Sequence, residues 1–267
     1  MAVKELLGQL HEVAECPRKQ LERYLGEGRR VIAMAPVYGP QEIVHSMGLV
    51  PMGVWGADVE INEAKKYYPA FICSVMQTIL ELGIKGEYKG VSAIIIPSLC
   101  DSLKTLGQNW KYAVADIPFI PMTYPQNRKQ DYGIKFTRAG YGRVISSLEV
   151  ATGARFSEPA LVKSNAIYNE HNRVMREFAE IASYADITAT QRSDVFKSAW
   201  FMTVEEHTAI VKELNEELKK GARAEGKLRV LVTGILADSP SLLKIFDDNG
   251  IQVAFDDVAN ESRQYRT

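Results

Sequence analysis

Apolar positions along this chain change period several times. Arg30-Val31-Ile32-Ala33-Met34-Ala35 and Val91-Ser92-Ala93-Ile94-Ile95-Ile96-Pro97 are nearly unbroken apolar runs, the pattern of strands covered on both faces of a parallel sheet. Between and after them, apolar residues return at helical spacing, as Ile43, Val44 and Met47, then Phe71, Val75, Ile79 and Leu82, then Leu103, Leu106, Trp110 and Val114. This alternation predicts an α/β fold. Residues 3–27 read as two short helices split at Pro17, the second ending near Gly26 and Gly28. Pro36-Val37-Tyr38-Gly39-Pro40 turns from the first strand into a helix that stops at Gly48, and Leu49 to Gly56 reads as a strand or extended loop. Pro69 permits a helix start that puts Cys73 in the first turn. Cys100 and Asp101 precede the next helix, and Pro118 to Tyr124 is a further strand in spite of its prolines, ending in Pro125-Gln126-Asn127-Arg128.

From about residue 131 to 221 the pattern is almost wholly helical, with breaks near Gly153, Ala185 and Thr203 and charged faces at Glu205-Glu206 and Lys219-Lys220. A strand restarts at Lys227 to Gly234, followed by a helix from about Pro240 to Asn249 and a strand Gln252-Val253-Ala254-Phe255. The expected organisation is a parallel-sheet, Rossmann-like α/β domain over 1–130 with both candidate cysteines, a helical region over 131–226, and the first βαβ unit of a second α/β domain over 227–267. A unit of about forty residues buries too little surface to stand alone, so that second domain is expected to be incomplete.

The composition is that of an ordinary globular chain: 267 residues, 46% hydrophobic, 24% charged, net charge -1. It holds enough apolar residues for a sizeable core and gives no basic excess that would suggest nucleic acid. No apolar stretch is long enough to cross a bilayer, and Met1 to Leu7 reads as an amphipathic helix lacking the apolar centre of a signal peptide. The expected compartment is therefore the cytoplasm. Cys16, Cys73 and Cys100 are an odd number without a secretory signal, which argues against a disulfide framework and leaves free thiols or metal ligands.

Cys100 follows the most apolar strand, where an open parallel sheet delivers residues to the crevice at its carboxyl end. Cys73 sits at another helix start, and helix N-terminal amides favour a thiolate. The two cysteines lie 27 residues apart with no C-x-x-C pair, so spacing alone gives no zinc or ferredoxin signature and favours packing as small hydrophobes over chemistry. Cys16, beside Pro17 on a charged helical segment, reads as structural. Val232-Thr233-Gly234-Ile235-Leu236-Ala237 lacks the three-glycine spacing of a dinucleotide loop, and no P-loop pattern exists. His11, His45, His171 and His207 lack ligand spacing; only His45, near one sheet end, is placed to face the crevice. Arg128 and Lys104 are bases available to acidic phosphate groups, and Trp55, Trp110 and Trp200 read as core.

Several longer motifs occur in order: Pro36-Val37-Tyr38-Gly39-Pro40-Gln41-Glu42-Ile43-Val44-His45, Gly53-Val54-Trp55-Gly56, Tyr68-Pro69-Ala70-Phe71-Ile72-Cys73-Ser74-Val75-Met76-Gln77, Leu99-Cys100-Asp101-Ser102-Leu103 and Gly107-Gln108-Asn109-Trp110-Lys111. They continue through Pro125-Gln126-Asn127-Arg128, Ile167-Tyr168-Asn169-Glu170, Val174-Met175-Arg176-Glu177-Phe178, Glu206-His207-Thr208, Val232-Thr233-Gly234-Ile235-Leu236 and Glu261-Ser262-Arg263-Gln264-Tyr265-Arg266. Together they resemble the β subunits of the (R)-2-hydroxyacyl-CoA dehydratases, a family related to the benzoyl-CoA reductase subunits. The resemblance covers essentially the whole chain.

The resemblance implies an oxygen-sensitive four-iron, four-sulfur (4Fe-4S) cluster between two α/β domains, held by three cysteines, of which Cys73 and Cys100 match the first two. The third family ligand lies in a Phe-Cys-Asp-Pro-Glu stretch that this sequence does not contain. The chain is thus expected to be either a fragment of a longer subunit, truncated at its C-terminus, or a short form with a weakened or absent cluster. The implied activity is a hydro-lyase reaction of amino-acid fermentation, performed by a complex with a homologous α subunit. An ATP-hydrolysing iron-sulfur activator supplies one electron, the acyl-CoA thioester becomes a ketyl radical that expels hydroxide, and the electron returns as the 2-enoyl-CoA forms. Within the family this chain resembles the electron relay, with the acyl-CoA held mainly by the partner and no catalytic residue assigned here. Gln108, Asn109, Trp110 and Arg128 are expected in the cluster's surroundings or in packing. A benzoyl-CoA reductase-type subunit and a non-catalytic scaffold without a cluster are the alternatives.

Overall fold

The computed structural model describes residues 2–266. By its contacts the chain forms two compact units, one of Leu21–Ser164, the other of the residues up to Gln20 together with those from Asn165 onward. Two helices open the chain, α1 (Val3–Glu15) and α2 (Pro17–Gly26), broken at Cys16 because Pro17 starts a new helix.

Within Leu21–Ser164, β1 (Val31–Met34), α3 (Gln41–Ser46), β2 (Val50–Gly53), α4 (Ser74–Ile84), β3 (Ala93–Pro97), α5 (Asp101–Ala113) and β4 (Phe119–Met122) alternate as the periodicity predicts. The strands form one sheet in the order β2-β1-β3-β4, parallel at every pairing. The two central strands, β1 and β3, are buried at every position, which only a continuous apolar run can supply. Pro51 and Pro121 fall on the outer strands β2 and β4, where a missing N–H can face away from the ladder. The chain moves from β1 outward to β2, then crosses back to β3 on the other side of β1. That reversal leaves a crevice beyond the carboxyl ends of β1 and β3.

One side of this sheet packs Ile32, Met34, Ala93, Ile95, Ile120 and Met122 against Ile43 and Val44 of α3 and against Val144 and Leu148 of α6 (Asp131–Thr152). α6 ends at Gly153, whose φ of 70° lies in the left-handed region that glycine adopts most readily. α4 and α5 pack against each other. Two glycines set the approach of α5: a Cβ on Gly83 would meet the Trp110 ring at 2.9 Å, and one on Gly107 would meet Phe119 at 2.5 Å. Either would force the layers apart. Phe71, expected on the apolar stripe of α4, lies before the helix begins and is 86% exposed. The helix starts one residue after Cys73, so its buried stripe begins at Met76.

α7 (Glu158–Ala182) contains the sequence boundary between the units. In the second unit, α1 lies on α8 (Ala189–Ser198) and α9 (Val204–Lys220), burying Leu6, Leu7, Leu10, Val13 and Ala14 at helical spacing. Full burial of such a leucine is worth about 2 kcal/mol. Thr188 and Gln191 form a reciprocal capping box at the start of α8. β5 (Leu228–Gly234), α10 (Pro240–Asp248) and β6 (Ile251–Val258) make the expected βαβ unit, two parallel strands packed through Val230, Val232 and Val253 on Ala189, Leu243 and Phe246. Among the described residues, no helix is long and apolar enough to cross a membrane.

Candidate functional site

β3 delivers Pro97-Ser98-Leu99-Cys100 to the carboxyl edge of its sheet, where the Ser98 N–H continues the ladder by donating to the Met122 carbonyl at 2.8 Å. Cys100 is extended, with φ -141° and ψ 169°, and N-caps α5. Its sulfur accepts the Leu103 N–H at 3.4 Å and its side chain is exposed. An amide aimed at a cysteine sulfur is the kind of contact that tunes a metal-bound thiolate.

Cys73 N-caps α4 and is half-buried, with its carbonyl accepting the Met76 and Gln77 amides at 3.1 and 3.2 Å. In a parallel β2-α4-β3 crossover the helix runs against the strands, so its N-terminus lies at the same carboxyl edge as the start of α5. Both cysteines therefore begin packed helices at one end of one sheet. The segment leading into Cys73 is pinned from three sides. Gln77 Nε2 donates to the Ile72 carbonyl at 2.8 Å, and Asn109 Nδ2 of α5 donates to the Tyr67 carbonyl at 2.8 Å. Upstream, the fully buried Glu81 carboxylate accepts the Ala64 and Asn62 amides at 2.8 and 3.1 Å and pairs with Lys85 at 3.0 Å. Burial works to raise the Glu81 pKa, but these donors outweigh it and hold the carboxyl below its usual range.

At the same edge opens a cleft of about 440 Å³, lined among others by Tyr38 after β1, Leu99 after β3 and Tyr124 after β4. Tyr38 has φ 62°, uncommon for a side-chain-bearing residue, and its carbonyl accepts the Tyr124 hydroxyl. Burial pushes the Tyr124 and Tyr141 phenols above their ordinary range, so both remain protonated at neutral pH. Arg128 also lines this cleft.

The remaining sequence candidates fall elsewhere. His45 Nδ1 is 2.8 Å from Ser164 Oγ, which in turn donates to the Glu42 carbonyl at 2.9 Å; this ties α3 to the start of α7 and does not line the cleft. Lys104 pairs with Asp101 at 3.1 Å, Lys111 Nζ donates to Gln108 Oε1 at 3.3 Å, and buried Trp110 donates to the Ile117 carbonyl at 3.0 Å. Trp55 and Trp200 are also core, as expected. Cys16 caps α1 in the other unit. His171 and His207 form a buried pair at 3.0 Å, and His207 Nε2 reaches the Val195 carbonyl at 2.9 Å. His11, Glu15 and Asp194 bring three ligand-type atoms within 4.8 Å of one another, with His11 Nδ1 and Asp194 Oδ2 2.7 Å apart, on the packed pair α1 and α8. Sequence reasoning missed the aromatic wall of the cleft, because Tyr38, Tyr124 and Tyr141 meet only once the strand order is known.

The chain matches the family described as 2-hydroxyglutaryl-CoA dehydratase, D-component, over residues 36–267. It is 44% identical over 261 residues to the (R)-phenyllactyl-CoA dehydratase β subunit of Clostridium sporogenes, covering 96% of this chain and 70% of that one. It is 44% identical to the lactoyl-CoA dehydratase subunit β of Anaerotignum propionicum, with 99% and 71% coverage. To the (R)-2-hydroxyglutaryl-CoA dehydratase subunit β of Acidaminococcus fermentans the identity is 36%, again with 99% and 71% coverage.

Proposed function

Since the chain belongs to the 2-hydroxyglutaryl-CoA dehydratase D-component family, we propose that it is the β-type subunit of a cytoplasmic hydro-lyase that removes water from a 2-hydroxyacyl-CoA to give a 2-enoyl-CoA. It acts in a complex with a homologous α subunit, and Cys73 and Cys100 bind iron of a 4Fe-4S cluster. The observation that carries this reading is the placement of the two cysteines at the N-caps of packed α4 and α5, at the carboxyl edge of one parallel sheet. Equal identity to a phenyllactyl-CoA and a lactoyl-CoA relative supports the reaction type rather than one acyl group.

The donor set fits two corners of such a cluster. Both side chains are at least partly accessible and thiolate is the ligand iron-sulfur clusters prefer. Leu21–Ser164 contains no third cysteine, so this unit supplies two thiolates to the cluster. When bound, the cluster supplies one-electron transfer at low potential, received from an ATP-hydrolysing activator and leading to the ketyl radical that loses hydroxide. The chain's own residues supply the setting. The Leu103 amide donates to the Cys100 sulfur, and a hydrogen bond of this kind lowers electron density on the ligand and raises a cluster's potential. Gln77, Asn109 and Glu81 fix the backbone leading into Cys73, which limits reorganisation when charge changes.

The direct assay is anaerobic dehydration of lactoyl-CoA and phenyllactyl-CoA by this chain with its partner subunit, activator and ATP. The expected result is enoyl-CoA formation that disappears with Cys73→Ser. Undiminished turnover by that variant would remove the ligand assignment, and a folded complex with no turnover on either thioester would favour the scaffold reading.

A further inference from the structure

The unit that lacks Cys73 and Cys100 brings together ligand-type side chains of its own. α1 buries Leu6, Leu7, Leu10, Val13 and Ala14. His11 and Glu15 follow Leu7 at successive four-residue steps, so both stand on one line at the edge of that buried stripe. α1 packs on α8, which presents Asp194 to the same line. One ligand-type atom from each of the three side chains falls within 4.8 Å of the others. His11 and Glu15 are exposed, whereas the Asp194 side chain is only 7% exposed.

Asp194 is the informative member. A carboxylate this buried normally collects several donors, yet among the described residues its one hydrogen-bond partner is His11 Nδ1, at 2.7 Å. Lys197, on the same helix, pairs with Asp238 at 4.0 Å. Burial pushes the Asp194 carboxyl up by more than His11 and Lys197 pull it down, and Glu15 adds a second negative charge. Among the described residues no base pairs with Glu15. The three side chains are therefore short of positive charge.

Imidazole and carboxylate together are ligands for a divalent first-row transition ion, while magnesium and calcium prefer oxygen alone. Neighbouring ligands on such an ion stand about 3.0–3.4 Å apart, given bond lengths near 2.1 Å. His11 Nδ1 and Asp194 Oδ2 need only part slightly to reach that spacing, and the exposed Glu15 can swing in as a third ligand. Water would take the remaining position. α8 is a firm platform, because Asp247 accepts the Ala189 N–H at 2.7 Å and the Thr190 hydroxyl at 2.6 Å, and the Thr188 capping box closes the same end. We propose that His11, Glu15 and Asp194 bind a divalent transition ion, zinc in preference to the earlier first-row metals, and that this ion clamps α1 to α8. It joins positions 183 residues apart, and a clip that closes a long loop removes the most freedom from the unfolded chain. The site is structural and does not depend on the dehydratase reading.

The test is thermal unfolding and bound-metal analysis of the full chain, stripped with a chelator and titrated with zinc or with magnesium. The Cys73→Ala, Cys100→Ala variant is run beside it, so that zinc held by those thiols is read separately. At free zinc about a hundred times the dissociation constant, both proteins should melt about 5 °C or more higher, and magnesium should give no rise. His11→Ala and Glu15→Gln, at exposed positions, and Asp194→Asn, which keeps its shape, should each weaken zinc at least about tenfold, the loss that even an outer-shell partner produces. A plain His11–Asp194 ion pair behaves differently: His11→Ala lowers the melting temperature, but zinc shifts neither parent nor variant. That result overturns the proposal. So does an equal rise with magnesium, a zinc-dependent rise that survives His11→Ala and Glu15→Gln, or one that vanishes with Cys73 and Cys100.

Discussion

The two compact units use polar side chains in opposite ways. In Leu21–Ser164, the cysteines and Arg128 of the cleft stand at the carboxyl edge of the sheet, accessible and, among the described residues, without an ion-pair partner. The other unit holds a set of polar groups that are buried against one another. Arg192 bonds both Asp256 and Glu261, all three at most 5% exposed, and His171 is bonded to His207 in the same interior. Burial pushes Glu261 up and both histidines down, in spite of the pull of Arg192 on Glu261. A buried charge with matched partners holds one packing arrangement, whereas an accessible thiol or guanidinium is available to a ligand. The contrast separates the residues that should carry activity from those that should carry stability.

The sharpest break of that contrast is at the cysteines. Cys73→Ser and Cys100→Ser should each abolish dehydration by the complex, a loss of about a hundredfold or more, while the chain's melting temperature stays nearly unchanged. Arg192→Met should do the reverse. It leaves two buried carboxylates without their cation and should cost about 3–5 kcal/mol in denaturant unfolding, with iron content retained in the folded fraction. The triple variant Arg192→Met, Asp256→Asn, Glu261→Gln, which removes all three buried charges, should recover most of the loss.

Glu81 crosses the divide, since it is a buried charge inside the first unit. Glu81→Ala strands the Ala64 and Asn62 amides and should cost about 2–3 kcal/mol. Because those amides belong to the segment leading to Cys73, it should also reduce iron retention, the one case where stability and cluster loss move together. The smallest effect is tied to pH. His207 is pushed down to about 4 by burial, so folding favours its neutral form. Its contribution is complete above the unfolded value near 6.5 and is lost as pH falls from there toward about 4. Urea titrations at pH 7 and pH 5 should differ by about 2 kcal/mol from this group, with His171 acting in the same direction, and His207→Gln should flatten the difference. A stability that is constant from pH 7 to pH 5 contradicts the neutral-pair assignment.

The parallel sheet was legible because β1 and β3 are buried throughout, and only unbroken apolar runs satisfy that burial. The cysteines were legible as candidates because strand exits and helix starts have local marks. Cys73 was displaced by one position, from first turn to N-cap, since the backbone before Ser74 is held by Gln77 and Asn109 rather than by helix hydrogen bonds. The cleft was less legible. Arg128 stood out as a base, but its neighbours come from three strand exits and α6, and their meeting depends on strand order rather than local pattern. The buried polar groups were hidden for the same reason. Arg192 lies 64 and 69 residues from its two carboxylates, and His171 lies 36 from His207, separations at which no sequence period links the partners.

The most direct measurement is iron and acid-labile sulfide, with a visible spectrum, on the chain purified without oxygen, beside a Cys73→Ala, Cys100→Ala double variant of equal melting temperature. The account predicts iron and sulfide in equal amounts with charge-transfer absorbance in the parent, and neither in the variant. Folded parent protein without iron, or a double variant that keeps its iron, would contradict it.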